Sequence, residues 1–189
     1  MSATETHMVT ATPLPPGTAI HPSLREWAVL DDEGVPVDDG NELLRFLSAA
    51  PEHAADALRV HFERWLSSPL GPRLTELIRL AVAAQTGCPV CQGVRRPGAR
   101  RDGVDEDVIA AIADPGSALL SARERVAVDY ASALAGDHAR VTEETYAALR
   151  AHLDDAEIAE VALLATSFLA HGRILETLTR GSTCPIAGG

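Results

Sequence analysis

Residues 76–103 read ELIRLAVAAQTGCPVCQGVRRPGARRDG, and this stretch decides the fold. Its first part carries Leu77, Ile78, Leu80, Ala81, Val82, Ala83 and Ala84, an apolar set that nearly encircles a helix predicted from about Leu74 to Gln85. A helix apolar on all sides belongs at the centre of a bundle. Cys88 and Cys91 follow as a C-x-x-C, the only close cysteine pair in the chain. Arg95, Arg96, Arg100 and Arg101 come next, a basic run in a protein of net charge −11.

The pairing of thiols with a helix start points to redox chemistry. If Cys88 opens a helix after Thr86-Gly87, the Cys91 sulfur falls in the first turn. Unpaired N–H groups and the helix dipole there favour thiolate, the reactive form. Glu76 lies on the preceding helix and is placed to take a proton from Cys91, directly or through water. A carboxylate in so apolar a helix is costly without a partner. Arg79, three residues on, offers the plainer alternative of a structural salt bridge. A zinc site at the cysteines is a further reading; it needs four ligands, and only Cys184 and scattered histidines remain beside the pair. An inert pair in a protein that binds rather than reacts is the third reading.

Glu76, eleven residues, Cys88-Pro-Val-Cys91, and then Gly103-Val-Asp-Glu-Asp-Val together resemble the AhpD-like (alkyl hydroperoxidase D) branch of the carboxymuconolactone decarboxylase family. The resemblance is ungapped from Glu76 to about Val108 and extends more weakly from about Glu52 to Arg173, an arginine that resembles one in the family's last long helix. It implies that Cys91 is the attacking cysteine, Cys88 the resolving one, and Glu76 the carboxylate that activates Cys91. It implies a redox-active Cys88–Cys91 disulfide with no other cofactor and no metal. It also implies a small hydroperoxide substrate, a disulfide-reducing partner protein and a homo-oligomer (dimer, trimer or hexamer). One position departs: where the family has a histidine four residues after the second cysteine, this chain has Arg95. Arginine cannot shuttle protons near neutral pH. Arg95 is instead a candidate for stabilising the thiolate or binding an anionic substrate. Pro97-Gly98 also falls where the family's helix continues, and proline there should kink or end it.

The 189 residues fit one domain with a real core. Aromatic residues make up only 4%, and alanine and leucine are abundant, which favours packed helices over a β-sandwich. The acidic balance argues against nucleic acid as a partner. No run of about eighteen consecutive apolar residues appears, so no membrane partner is expected. The first residues lack a basic region followed by an apolar core, so no secretory signal is expected and the cytoplasm is the default location. Three cysteines in that setting are not a disulfide framework.

Taken in order, residues 1–20 read as a flexible tail, 21–181 as a single helical domain and 182–189, with Cys184, as a second tail. A short helix is predicted near Ser23 and an acidic surface loop over Asp31–Gly40. Further helices are predicted over Asn41–Ala49, from Pro51 to about Ser67, from Cys88 to about Arg96, and over Asp105–Ala113. Ser121 with Glu124 forms a capping box for a helix to about Ala135. Thr142 caps another through about His152. The last long helix starts at Asp154 or Asp155 and ends at Gly181. The expected architecture is all-α, an AhpD-like bundle of about seven to eight helices.

Among other singled-out residues, Trp65 reads first as core and second as pocket lining. His53 and His61 have no partner legible in the sequence, and His138 reads as surface. His171, in the last helix, is a substitute base if that helix packs against the cysteines. The leading function is a thiol-dependent, alkyl hydroperoxide reductase-like oxidoreductase. The first alternative is a non-redox, carboxymuconolactone decarboxylase-like enzyme acting on a small organic acid or lactone, with Arg95 holding a carboxylate. The second is a non-catalytic binding or assembly protein.

Overall fold

A computed structural model describes residues 18–28, 41–96 and 98–179. Its centre is α3 (Pro72–Thr86), in which every residue from Leu74 to Ala83 is buried. Pro72 sits in the first turn, where its missing N–H costs nothing. The principal neighbours of α3 are α6 (Ala122–Gly136) and α8 (Asp155–Thr179). Leu77, Ile78 and Val82 from α3 pack with Ala127, Val128 and Ala131 from α6 and with Val161, Leu164 and Ala165 from α8. The alanines on α6 let the central helices approach closely, so a small side chain rather than a large one sets the spacing there.

Around this centre lie α1 (Glu42–Leu47), α2 (Pro51–Ser67), α4 (Pro89–Gly93), α5 (Glu106–Ala111) and α7 (Glu143–Arg150). No strand occurs among the described residues, so the bundle is all-α. Pro51 opens α2 at its first turn, as its sequence position predicts. Asp105 caps α5 by accepting from the Val108 N–H at 3.0 Å. Ser121 and Glu124 form the expected capping box of α6, each side chain accepting from the other residue's backbone N–H. The Thr142 N–H donates to Thr145 Oγ1 at 3.1 Å at the start of α7.

Two expectations shift. The segment near Ser23 forms a 3-10 turn, Pro22–Trp27, rather than an α-helix. It is short and closes on i→i+3 bonds such as Ala28 N–H to Arg25 O. It packs on α2 through a small second cluster of Ile20, Leu24, Leu44, Ala54 and Leu58. The helix of the cysteine pair stops at Gly93 instead of continuing to Arg96. Beyond it, the buried side chains of α3 capture the backbone groups that a further helical turn would have used.

By length and composition α8 is the one described helix that would suffice to cross a membrane, with a mean hydropathy of 1.4. Within the bundle its Val161, Leu164, Ala165 and Phe168 enter the main core, while 28% of that apolar window is buried and Leu163 is exposed. The acidic loop, Pro97, Gly181, Cys184 and most of the N-terminal tail lie outside the described residues.

Candidate active site

The site is built on one ion pair inside α3. Glu76 is fully buried and Arg79 nearly so. Arg79 grips the carboxylate with two prongs, Nη2 to Oε1 at 2.7 Å and Nε to Oε2 at 2.9 Å. Trp65 Nε1–H donates to Oε2 at 3.2 Å, and the Arg96 backbone N–H donates to Oε1 at 3.1 Å. Arg79 also lies over the Trp65 ring, 5.6 Å from its centroid. The plainer reading of Glu76 and Arg79 as a salt bridge therefore describes their contact. Burial pushes the Glu76 carboxyl up, but Arg79, the Arg96 N–H and Trp65 together outweigh it and hold the group below its ordinary value.

The same guanidinium organises the cysteine segment. Its Nη1 donates to the Cys91 carbonyl and its Nη2 to the Val94 carbonyl at 2.6 Å. With Glu76 holding the Arg96 N–H, α3 clamps the chain at three backbone points over residues 91–96. Glu76 is thus linked to Cys91 through Arg79, by way of a backbone carbonyl.

Gly87 takes a left-handed φ of 71° and closes α3, its N–H donating to Ala83 O at 3.1 Å. That reversal lets Cys88 precede α4 as a fully buried residue, with Cys91 one turn on at intermediate exposure. The Cys91 N–H donates to Cys88 Sγ at 3.4 Å. The N–H expected to favour a thiolate in this turn is therefore turned to Cys88. The Cys91 thiol is pushed up, first by its hydrogen bond with Cys88 and then by burial, with Arg79 pulling the other way.

Cys91 opens on a cavity of about 210 Å³ between α1, α2, α3 and α8. Leu43, Leu58, Phe62, Val82, Phe168 and Leu175 supply apolar walls. His61, Arg79, Thr86 and His171 share the lining with Cys91. Trp65 is both packed and exposed to the cavity, so its two readings coincide. A cavity of about 150 Å³ accepts benzene, so a molecule somewhat larger than benzene is the natural occupant here.

The two histidines form a stacked pair, ring centroids 4.0 Å apart at 28°. Phe62 and Phe168 meet His61 edge-on at 5.4 Å and 5.1 Å. Ser167 serves both rings: its carbonyl bonds His171 Nδ1 at 2.8 Å and its hydroxyl lies 2.9 Å from His61 Nδ1. A carbonyl only accepts, so His171 carries its proton on Nδ1 and leaves Nε2 as an acceptor. Burial pushes His61 down to about 3, with His171 and Arg79 adding to the effect. Burial also lowers His171, against the Ser167 carbonyl, which raises it.

Of the residues singled out in the sequence, Cys91, His171 and Trp65 meet at this cavity, while Cys88 and Glu76 lie buried behind it. Arg95 is placed elsewhere. Its guanidinium bonds the Gln92 and Val94 carbonyls and pairs with Glu106 at 3.6 Å, and it is not among the cavity lining. Arg173 and His138 are exposed. The sequence reading missed His61 and Ser167. One signal was available for His61: it falls three residues after Leu58 and four before Trp65, on the apolar side of α2.

A helical bundle whose buried Glu–Arg pair clamps a C-x-x-C beside an apolar cavity defines the class, an all-α cysteine-pair protein. Residues 51–133 match the sequence profile of the carboxymuconolactone decarboxylase family. Two solved structures share the fold. One is a protein of unknown function from Agrobacterium tumefaciens, a candidate antioxidant defence protein AhpD. It is 25% identical with a TM-score of 0.62, over 74% of this chain and 95% of that one. The other, an uncharacterized peroxidase-related protein from Silicibacter sp. TM1040, is 21% identical with a TM-score of 0.58, over 71% of this chain and 74% of that one. At that identity the second likeness speaks for the fold alone. No curated protein matches the chain.

Proposed function

We propose that the protein is a thiol-dependent oxidoreductase that reduces a small hydroperoxide at Cys91, with Cys88 as resolving cysteine. The observation that carries this reading is the placement of the two sulfurs. Cys91 faces the cavity, and Cys88 lies buried behind it, within hydrogen-bond reach of the Cys91 backbone. The Cys91 thiolate attacks the outer peroxide oxygen, two electrons pass from sulfur to the O–O bond, and the bond breaks to a sulfenic acid and an alkoxide. The proton that left Cys91 returns to the alkoxide as alcohol. The Cys88 sulfur then displaces water from the sulfenic acid and closes the disulfide. Return to the dithiol needs a disulfide-reducing partner protein. Glu76 acts in this reading as the anchor of Arg79, which keeps Cys91 at the cavity wall. A homo-oligomer remains part of the proposal.

The test is direct. Reduced protein is mixed with a stoichiometric amount of cumene hydroperoxide, and both thiols and peroxide are counted. The reading expects one disulfide between Cys88 and Cys91 per peroxide consumed, and no consumption in Cys91→Ser. Loss of peroxide without disulfide, or no loss at all, overturns it.

The raised Cys91 thiol favours a second reading, a non-redox reaction on a small organic acid or lactone with His171 Nε2 as base. Turnover of such a substrate that survives Cys91→Ser and disappears in His171→Gln identifies it.

A further inference from the structure

We propose that His61 and His171, held together by Ser167, act as one acid–base unit that takes the proton of the Cys91 thiol and returns it to the leaving oxygen. The inference rests on the thiol reading above. It answers a question that reading leaves open: with arginine in place of the family histidine, some other group must move the proton.

The cavity narrows the choice by elimination. Its titratable side chains are His61, Arg79, Cys91 and His171. Arg79 stays charged at any working pH. Cys91 is the nucleophile. Glu76 lies behind Arg79 with both oxygens engaged by Arg79, Trp65 and the Arg96 N–H. Arg95 faces Glu106 and two backbone carbonyls instead of the cavity. The imidazoles remain.

Their geometry suits the task. The Ser167 carbonyl fixes the Nδ1–H tautomer of His171, which makes Nε2 the proton acceptor. The stacked ring of His61, at 4.0 Å, leaves no room for a second cation beside a protonated His171. The pair therefore holds one proton at a time. Arg79 on α3 repels a proton from His61, so His171 receives it. The groups facing the pair are Arg79 from α3 and Cys91 from α4, with Leu43 from α1 apolar. Glu176, further along α8, also acts on Cys91 and raises it. Ser167 and His61 are positioning residues: one sets the tautomer and holds the partner ring, the other keeps the proton single and on His171.

The experiment uses the full chain, wild type, His171→Gln, His61→Phe and Ser167→Ala. Two reagents that differ in what they ask of the protein are compared across pH. Iodoacetamide needs only the Cys91 thiolate, because iodide leaves without a proton. Cumene hydroperoxide needs the thiolate and a proton for the leaving oxygen. The inference expects His171→Gln to slow both reactions near neutral pH, peroxide oxidation by about 10²-fold. As pH rises, alkylation recovers toward wild type while oxidation by peroxide stays slow. Ser167→Ala and His61→Phe displace the pH profile of oxidation more than its plateau. In wild-type protein, imidazole NMR titration is expected to show one protonation shared by the two rings, with His171 as the Nδ1–H tautomer at neutral pH. Wild-type pH profiles in all three variants, or independent protonation of both rings, overturn the inference. If wild type is inert to peroxide, the thiol reading fails. The inference then stands or falls separately on whether His171→Gln slows Cys91 alkylation near neutral pH.

Discussion

Arg79 binds Cys91 through the backbone carbonyl, not through the sulfur. One buried guanidinium thereby sets the position of Cys91 while its charge is engaged mainly by Glu76. Lysine offers a point charge without the planar fork, so it cannot hold Glu76, Cys91 O and Val94 O at once. Arg79→Lys is expected to loosen residues 88–96 while leaving α6 protected. Hydrogen exchange by segment checks this. Unchanged protection of 88–96 in the variant would show that the clamp is dispensable.

Removing the second thiol should free the first. Cys91 is held up chiefly by its hydrogen bond with Cys88, then by burial. Cys88→Ala removes that bond and leaves burial and Arg79. The Cys91 alkylation midpoint is expected to move down by at least one pH unit, which corresponds to about 1.4 kcal/mol. The same variant should stop at sulfenic acid after peroxide treatment, detectable by trapping with dimedone. A midpoint at the wild-type value would contradict the assigned cause.

Breaking the Glu76–Arg79 pair leaves a buried cation. Glu76→Gln is expected to cost about 3–5 kcal/mol of stability, measured by urea unfolding at neutral pH. In wild type the folded Glu76 lies below its unfolded value, so its contribution is full above about pH 4.3 and is lost as pH falls from there through the folded value. Glu76→Gln should flatten the acid limb of the stability curve in that window. A variant as stable as wild type, with the same acid limb, refutes the account of the pair.

His61 acts in a different window. Its folded value, about 3, lies below the unfolded value of 6.5, so the unfolded chain binds the proton first. Stability from a neutral His61 is full above about pH 6.5 and falls with pH below it, by about 2 kcal/mol at pH 5. His61→Phe keeps the aromatic packing and removes the titration. The expected result is a flatter stability profile between pH 6.5 and pH 5, read by chemical unfolding at several pH values. An unchanged slope there would place His61 in solvent.

Gly87 is the hinge between the central helix and the cysteines. Its φ of 71° is strained for any residue with a Cβ. Gly87→Ala is expected to cost about 1–2 kcal/mol and to misplace Cys88. Thermal unfolding together with the rate of disulfide closure checks both effects.

The sequence by itself determined much of this protein. The apolar encirclement of α3 announced a central helix, because water-free surroundings tolerate no other pattern over so many turns. Pro51, Asp105 and the Ser121–Glu124 box marked helix starts, because unpaired N–H groups at a helix end need local partners and those partners are close in the chain. The spacing of Glu76, Cys88 and Cys91 carried the family resemblance. Tertiary structure alone decided the rest. Arg79 sits three residues from Glu76, yet its second task on Cys91 and Val94 depends on where the chain returns after Gly87. Arg95 keeps the histidine's place in the sequence and leaves the cavity, because Glu106 and nearby carbonyls claim its charge. His61 and His171 are 110 residues apart in number and stack only because α2 and α8 cross at Ser167. Contacts between distant helices are set by the packing of whole faces, and no local pattern in either helix records which side chain the other will bring.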